Sequence, residues 1–220
     1  MLNLAIPIAL ATVAQTFVIA GNDLDLSIGT FVGFVCCVAA TWLRDAPLLG
    51  VVTLAGCVAL YALIGALIYL RSLPSIVVTL GMSFVWQGLA ILLLPKPGGK
   101  APGWLQGLMS LKPPLVPLPI VAAVAAGGWL IIIGAPYGAI LRGTGGNAVA
   151  IRRAGWSLLK AKATLFALTG VFGVLSGMAL VGITTSADAN IGTATRCSPS
   201  PASSSAAANS SAARSRRSVR

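Results

Sequence analysis

Histidine is absent from this sequence, and only four of its 220 residues are acidic. With four cysteines (Cys36, Cys37, Cys57 and Cys197) and no histidine, the common zinc spacings and any imidazole base are excluded, and no metal site is expected. Charge of either sign is scarce: 9% of residues are charged, 57% are hydrophobic, and the mean hydropathy is +0.93. A soluble domain of this length needs far more polar surface. There is no G-x-x-x-x-G-K-[ST] phosphate loop, and Ser27 has no base near it. No catalytic residue, cofactor or enzymatic activity is therefore expected of the chain. The formal charge of +11 does not indicate nucleic acid either. Five of the fifteen basic residues lie in the last 25 positions, the rest sit between apolar runs, and no aromatics interleave with a basic groove.

Apolar segments are what the chain does have. They fall at about 4–20, 28–43, 48–70, 75–94, 115–134 and 163–183, several of them near membrane-spanning length. The first lacks the basic start of a signal peptide, and further apolar segments follow it. The expected fold is all-α, a polytopic transmembrane helical bundle. Its first two segments are either two helices or one discontinuous or re-entrant element. GVFG and GVLSG, which together span 170–177, supply small residues for close helix packing. Cys36 and Cys37 read as small buried hydrophobes. Trp86, Trp104, Trp129 and Trp156 fall near predicted boundaries and are expected to anchor at the membrane interface. Lys160 and Lys162 are expected to face anionic lipid.

Between the first two segments stands GNDLDLSIG, residues 21–29, which holds two of the four acids. A carboxylate in or near hydrocarbon is costly and marks a functional candidate. Asp25 can cap the following helix by accepting N–H bonds near Ser27 and Ile28. A discontinuous helix exposes such termini where a solute passes. Gly21, Asp23, Asp25, Ser27 and Gly29 are thus the candidates for a translocation path or broken helix, with the two glycines permitting the break. The connection 135–162 carries Arg142, Arg152, Arg153, Lys160 and Lys162 and no acid, which places it in the cytoplasm. The 95–114 loop then lies outside and the 71–74 turn inside; whether residues 21–27 cross or re-enter stays open. Within that cytoplasmic connection, Asn147 can cap a short helix running to Arg153.

Four stretches resemble a known family. AQTFVIAGNDLDLSIGT (14–30) matches its Gly-Ile-Asp-Leu-Ser-Val-Gly sequence at Asp25, Leu26, Ser27 and Gly29, with Ile28 for Val and with Asn22 and Asp23 as local variants. LPSIVVTLGMSFVWQGLAILL (73–93) is close to its Pro-Phe-Ile-Val-Thr-Leu-Gly stretch, with Gln87 where an arginine is usual. YGAILRGTGGNAVAIRRAGW (137–156) keeps Gly146, Asn147, Ala150, Arg153 and Gly155 of its cytoplasmic segment, without the usual glutamate after the Asn. The fourth stretch comes from the DNA frame. From Ala194 onward the chain is rich in Ser, Ala and Arg, either a basic low-complexity tail or the product of a frame disruption near residue 193. Read one base earlier, compatible codons give GYTLLSIAGVILGGGEFVGG, which is what the family has next. Together these resemble the inner-membrane permease subunit of bacterial ABC sugar importers, the ribose, xylose and galactose type of branched-type permeases.

The resemblance covers residues 1–193, the expected permease domain, and sets 194–220 apart. It implies a chain shorter than the family at both ends, expected not to transport by itself. It implies a multi-pass protein of the cell inner membrane that imports a monosaccharide. The implied partners are a separate ATPase subunit, a periplasmic sugar-binding protein, a second permease copy and membrane lipid. The segment Gly146, Asn147, Ala150, Arg153 and Gly155 would dock on the ATPase. An ion-coupled secondary transporter or a non-transporting membrane scaffold are the alternatives from other classes.

Overall fold

The computed structural model of the protein describes residues 2–96, 98–109, 136–146 and 148–188. The apolar run at 115–134, Trp129, Asn147 and the stretch from residue 194 lie outside them. The helices are α1 (Leu2–Ala20), α2 (Ile28–Ala40), α3 (Trp42–Asp45), α4 (Pro47–Arg71), α5 (Ser75–Leu93), α6 (Gly103–Met109), α7 (Pro136–Gly146), α8 (Ala148–Arg153) and α9 (Leu158–Thr184). Among the described residues no strand forms, and one isolated bridge pairs Gly98 with Ala187.

Sequence signals set the ends of the long helices. Pro47 opens α4, where its missing N–H costs nothing. Ser72 closes α4 in the left-handed region at φ 49°, and Leu73 N–H reaches back to the Ile68 carbonyl. Pro74 then cannot continue that helix and leads into α5. Four stretches are long and apolar enough to cross a membrane: Ile28–Asp45, Pro47–Arg71, Ser75–Leu93 and Leu158–Thr184, with Ala5–Ala20 a shorter apolar helix. Their outward faces carry exposed Leu48, Leu63, Val77, Phe84 and Leu92, which suit hydrocarbon as solvent. The protein is a multi-pass, all-α membrane protein.

Helix α9 runs through the centre, packed on α4, α1 and α2. It starts at Leu158, five residues before the apolar run read from the sequence, and so takes Lys160 and Lys162 into the helix. Small residues allow the approach on every side. A Cβ on Gly173 would stand 2.7 Å from Phe31 Cε1, and one on Gly177 would stand 2.6 Å from Val35 Cγ1. The same contacts fix direction. Gly173 meets Ile28 and Phe31 while Gly177 meets Val35, so α2 runs parallel to α9. Ser176 bonds the Pro7 carbonyl and Thr169 the Ala14 carbonyl, so α1 runs antiparallel. Gly65 abuts Phe166 and Gly170 abuts Tyr61, which makes α4 antiparallel as well.

Those contacts also give depth. Gly21 lies against Leu165 and Ile28 against Gly173, eight residues further along α9. At 1.5 Å per residue the connection 21–27 climbs about 12 Å back into the bundle. Helix α1 therefore runs to one end, and α2 begins near the middle of the 27-residue α9. The connection enters the bundle from that end, and α2 carries the chain on to the other, so the two form one broken span.

Trp86 departs from its expected place. It is 1% exposed and packs among Phe31, Phe34 and Tyr61, with ring centroids 5.0, 5.4 and 6.1 Å away. It is a core residue at the level of the α2 start. Trp104 and Trp156 are exposed, as interface anchors would be.

Candidate functional site

Extended backbone inside a bilayer needs hydrogen-bond partners from the protein. Gly21, Asn22 and Asp23 N–H bond back to α1 carbonyls, and for Leu24 and Leu26 the partners come from α5. Leu24 N–H donates to Ser75 Oγ at 3.2 Å and Leu26 N–H to Thr79 Oγ1 at 3.3 Å, two hydroxyls one helical turn apart. The left-handed residue of the turn is Asn22, at φ 57°, a residue type that tolerates this region; Gly21 and Gly29 do not have positive φ. Gly21 instead gives room, since a Cβ there would lie 3.0 Å from Leu165 Cδ1.

Asp25 is 4% exposed and Ser27 is 1% exposed. The Asp25 Oδ1 accepts both the N–H and the O–H of Ser27, each at 2.7 Å. With the Ser27 proton so engaged, Tyr61 O–H, 2.9 Å away, donates to Ser27 Oγ. The expected capping by Asp25 thus takes the form of a tight Asx turn onto Ser27, with α4 supplying the third member. Tyr61 was not legible as a site residue, being one tyrosine in an apolar span.

Asp23 has a partner that the sequence did not reveal. Lys162 Nζ lies 2.7 Å from its Oδ2, with the side chains 20% and 10% exposed. Lys162 does not face lipid headgroups: it reaches from the first turns of α9 to the break. Lys160 lies on the same end, beside Trp156 and Gly155 in a small polar recess.

The break also borders a cavity of about 690 Å³. Helix α1 contributes Ile8, Thr12 and Gln15, and α5 contributes Leu80, Ser83, Phe84 and Gln87, each set spaced as one helical face. Asp25, Gly29 and Thr30 close it from the α2 side. Among the described residues, Asp25 Oδ2 and Gln15 Oε1 are buried with no hydrogen-bond partner. Gln15 was missed in the sequence. A glutamine within an apolar span, one turn from Thr12, is nevertheless the kind of polar residue that a membrane helix rarely keeps without use.

The 146–155 segment forms α8 and its exit. Gly155 takes φ 80°, its N–H reaches the Arg152 carbonyl at 3.0 Å, and Trp156 N–H reaches Ile151 O at 3.1 Å, a glycine-dependent helix stop. Ile151 is buried, whereas Val149, Arg153 and Gly146 are exposed. Arg152 donates to Tyr69 Oη at 3.3 Å. Just before α8, a Cβ on Gly145 would lie 2.5 Å from Ala20 O and 2.9 Å from Asn22 N. The end of α7, which leads into the exposed short helix, is therefore in close contact with the backbone at the break. The structure brings Gly21, Asp23, Asp25, Ser27 and Gly29 together, and sets the segment holding Gly146, Ala150, Arg153 and Gly155 at the same end.

An apolar helical bundle with a polar break at mid-depth belongs to a class, the multi-pass membrane proteins. The chain belongs to the family described as branched-chain amino acid transport system, permease component, which residues 1–199 match. It is thus an ABC-transporter permease component. Neither a curated protein nor a solved structure matches the chain.

Proposed function

We propose that this chain is the permease subunit of an inner-membrane importer that moves a monosaccharide delivered by a periplasmic binding protein. Two copies frame the path, and two ATPase subunits drive it from the cytoplasm. The observation that carries the reading is the break at 21–27, whose buried Asp25 borders a mostly apolar cavity at mid-depth that also presents hydroxyl and amide groups. Among the described residues the lining includes hydroxyl, amide and carboxylate groups but no Lys or Arg to receive the carboxylate of an amino acid, which favours a sugar.

The end bearing α7, α8 and the start of α9 faces the cytoplasm by its basic residues, Arg152, Arg153, Lys160 and Lys162. There the 146–155 segment docks on the ATPase, with exposed Val149 and Arg153 on its outer side. The contact of Gly145 with Ala20 and Asn22 gives motion at that dock a short route to the break.

Cysteine crosslinking in the assembled importer tests this. Val149→Cys is expected to crosslink to an ATPase subunit under mild oxidation, whereas Lys100→Cys, exposed at the opposite end, is not. Lys100 serves better than its neighbour Ala101, which is buried. Equal crosslinking at both positions, or none at Val149, would overturn topology and docking together.

A further inference from the structure

Two of the polar groups around the cavity present acceptor atoms that no donor reaches among the described residues. Asp25 has its Oδ1 engaged by Ser27, which leaves Oδ2 buried and without a partner among the described residues. Gln15 Oε1 is in the same condition across the cavity. The hydroxyls there already donate their protons to backbone carbonyls. Thr12 donates to Ile8 O at 2.8 Å, Thr30 to Ser27 O at 2.9 Å and Ser83 to Leu80 O at 2.6 Å. Each hydroxyl oxygen still has lone pairs to offer.

Two acceptors on one cavity, unmatched by donors among the described residues, offer lone pairs to what enters it. A solute that brings several donors can engage both at once. The cavity volume, about 690 Å³, is within the range of small-molecule sites. We infer that Asp25 Oδ2 and Gln15 Oε1 form a transient subsite for a small solute that presents several hydrogen-bond donors, the hydroxyls of a sugar or the ammonium of an amino acid. This rests on the transport reading and assigns to it the atoms that touch the cargo. Apolar Ile8, Leu80 and Phe84 complete the wall and give the solute no further polar hold, which suits a site that must release.

Protection from thiol labelling tests the subsite. The importer, with its ATPase and binding-protein partners, is prepared in membrane vesicles with Ser83→Cys in a Cys197→Ser background. Cys36, Cys37 and Cys57 are buried and stay silent. A small methanethiosulfonate reagent is then applied alone, with xylose, or with leucine. Xylose is expected to slow labelling of Ser83→Cys, while Asp25→Asn weakens that protection about tenfold, the factor for one charge-assisted hydrogen bond. Gln15→Leu is expected to weaken it about fivefold, and Gln15→Glu, which keeps an acceptor, to retain it.

Protection by leucine and not by xylose would keep the subsite and overturn the sugar assignment. Failure of Ser83→Cys to react would overturn the subsite, because the cavity would not be reached from water. Labelling that ignores both solutes, or protection that ignores Asp25→Asn and Gln15→Leu, would overturn it as well. Uptake by vesicles carrying the unmodified chain, measured in parallel, shows whether the transport reading survives such a failure.

Discussion

Helix α1 has two large neighbours and meets them in opposite ways. Toward α9 it closes. Leu10, Ala14 and Phe17 are fully buried there, Phe17 lies 5.4 Å from Phe172, and Thr169 and Ser176 donate to α1 carbonyls. Toward α5 it stays apart, with Thr12 and Gln15 facing Ser83 and Gln87 across the cavity. On the closed seam the polar side chains find partners within the protein. Around the open one, Gln15 Oε1 and Asp25 Oδ2 find no donor among the described residues. Inside a bilayer, a polar atom is either matched by the protein or kept for something that arrives, and the two sides of α1 separate those uses.

Overfilling the closed side should have the largest effect. Gly177→Leu would drive a side chain against Val35 and the Val32 carbonyl, 2.6 and 3.0 Å from the new Cβ. Backbone cannot give way as a side-chain tip can, so a loss of about 3 kcal/mol is expected. Thermal melts in detergent, followed by size exclusion, should show much less folded protein. An unchanged melt would mean that α2 and α9 do not pack as described.

The ion pair at the base of the break comes next. Lys162→Ala leaves Asp23 with a 10% exposed side chain and no cation. Breaking a fully buried pair costs about 3–5 kcal/mol, and the partial exposure here reduces the expected cost to about 2 kcal/mol. Adding Asp23→Ala should restore most of that loss. A Lys162→Ala melt identical to that of the unmodified chain would show that the pair contributes nothing.

Ser27→Ala removes the hydroxyl shared by Asp25 and Tyr61, and an effect of about 1–2 kcal/mol is expected on the same melt. The smallest change is expected from Trp86→Phe. The indole nitrogen has no hydrogen-bond partner among the described residues, so only ring area is lost, worth about 1 kcal/mol. A larger loss at Trp86 than at Ser27 would reverse the roles assigned to the two positions.

The spans were legible because long apolar runs in a chain with few charges admit few other folds. Where α9 begins was not. Lys160 and Lys162 read as loop charges; Lys160 stays exposed in the first turn of the helix, and Lys162 is carried by its pairing with Asp23, 139 residues away in sequence. Trp86 read as an interface anchor because position along a span tells depth poorly and says nothing of which face is covered. The acidic turn announced itself by rarity, since two of four acids stand in nine residues. Its path into the bundle depended on contacts with Leu165 and Gly173 that no local pattern encodes. Gln15 and Tyr61 belong to the site through the packing of α1, α2, α4 and α5, and for them the only local signal was polarity within an apolar helix.

The central claim is that ATP hydrolysed on a partner chain moves a small polar solute past this break. Proteoliposomes that hold the complete importer with a full-length form of this permease, loaded with or without ATP and given labelled ribose or xylose through the binding protein, test it most directly. The account predicts uptake that requires internal ATP and persists when ion gradients are dissipated. Uptake that follows an ion gradient and ignores ATP would contradict it.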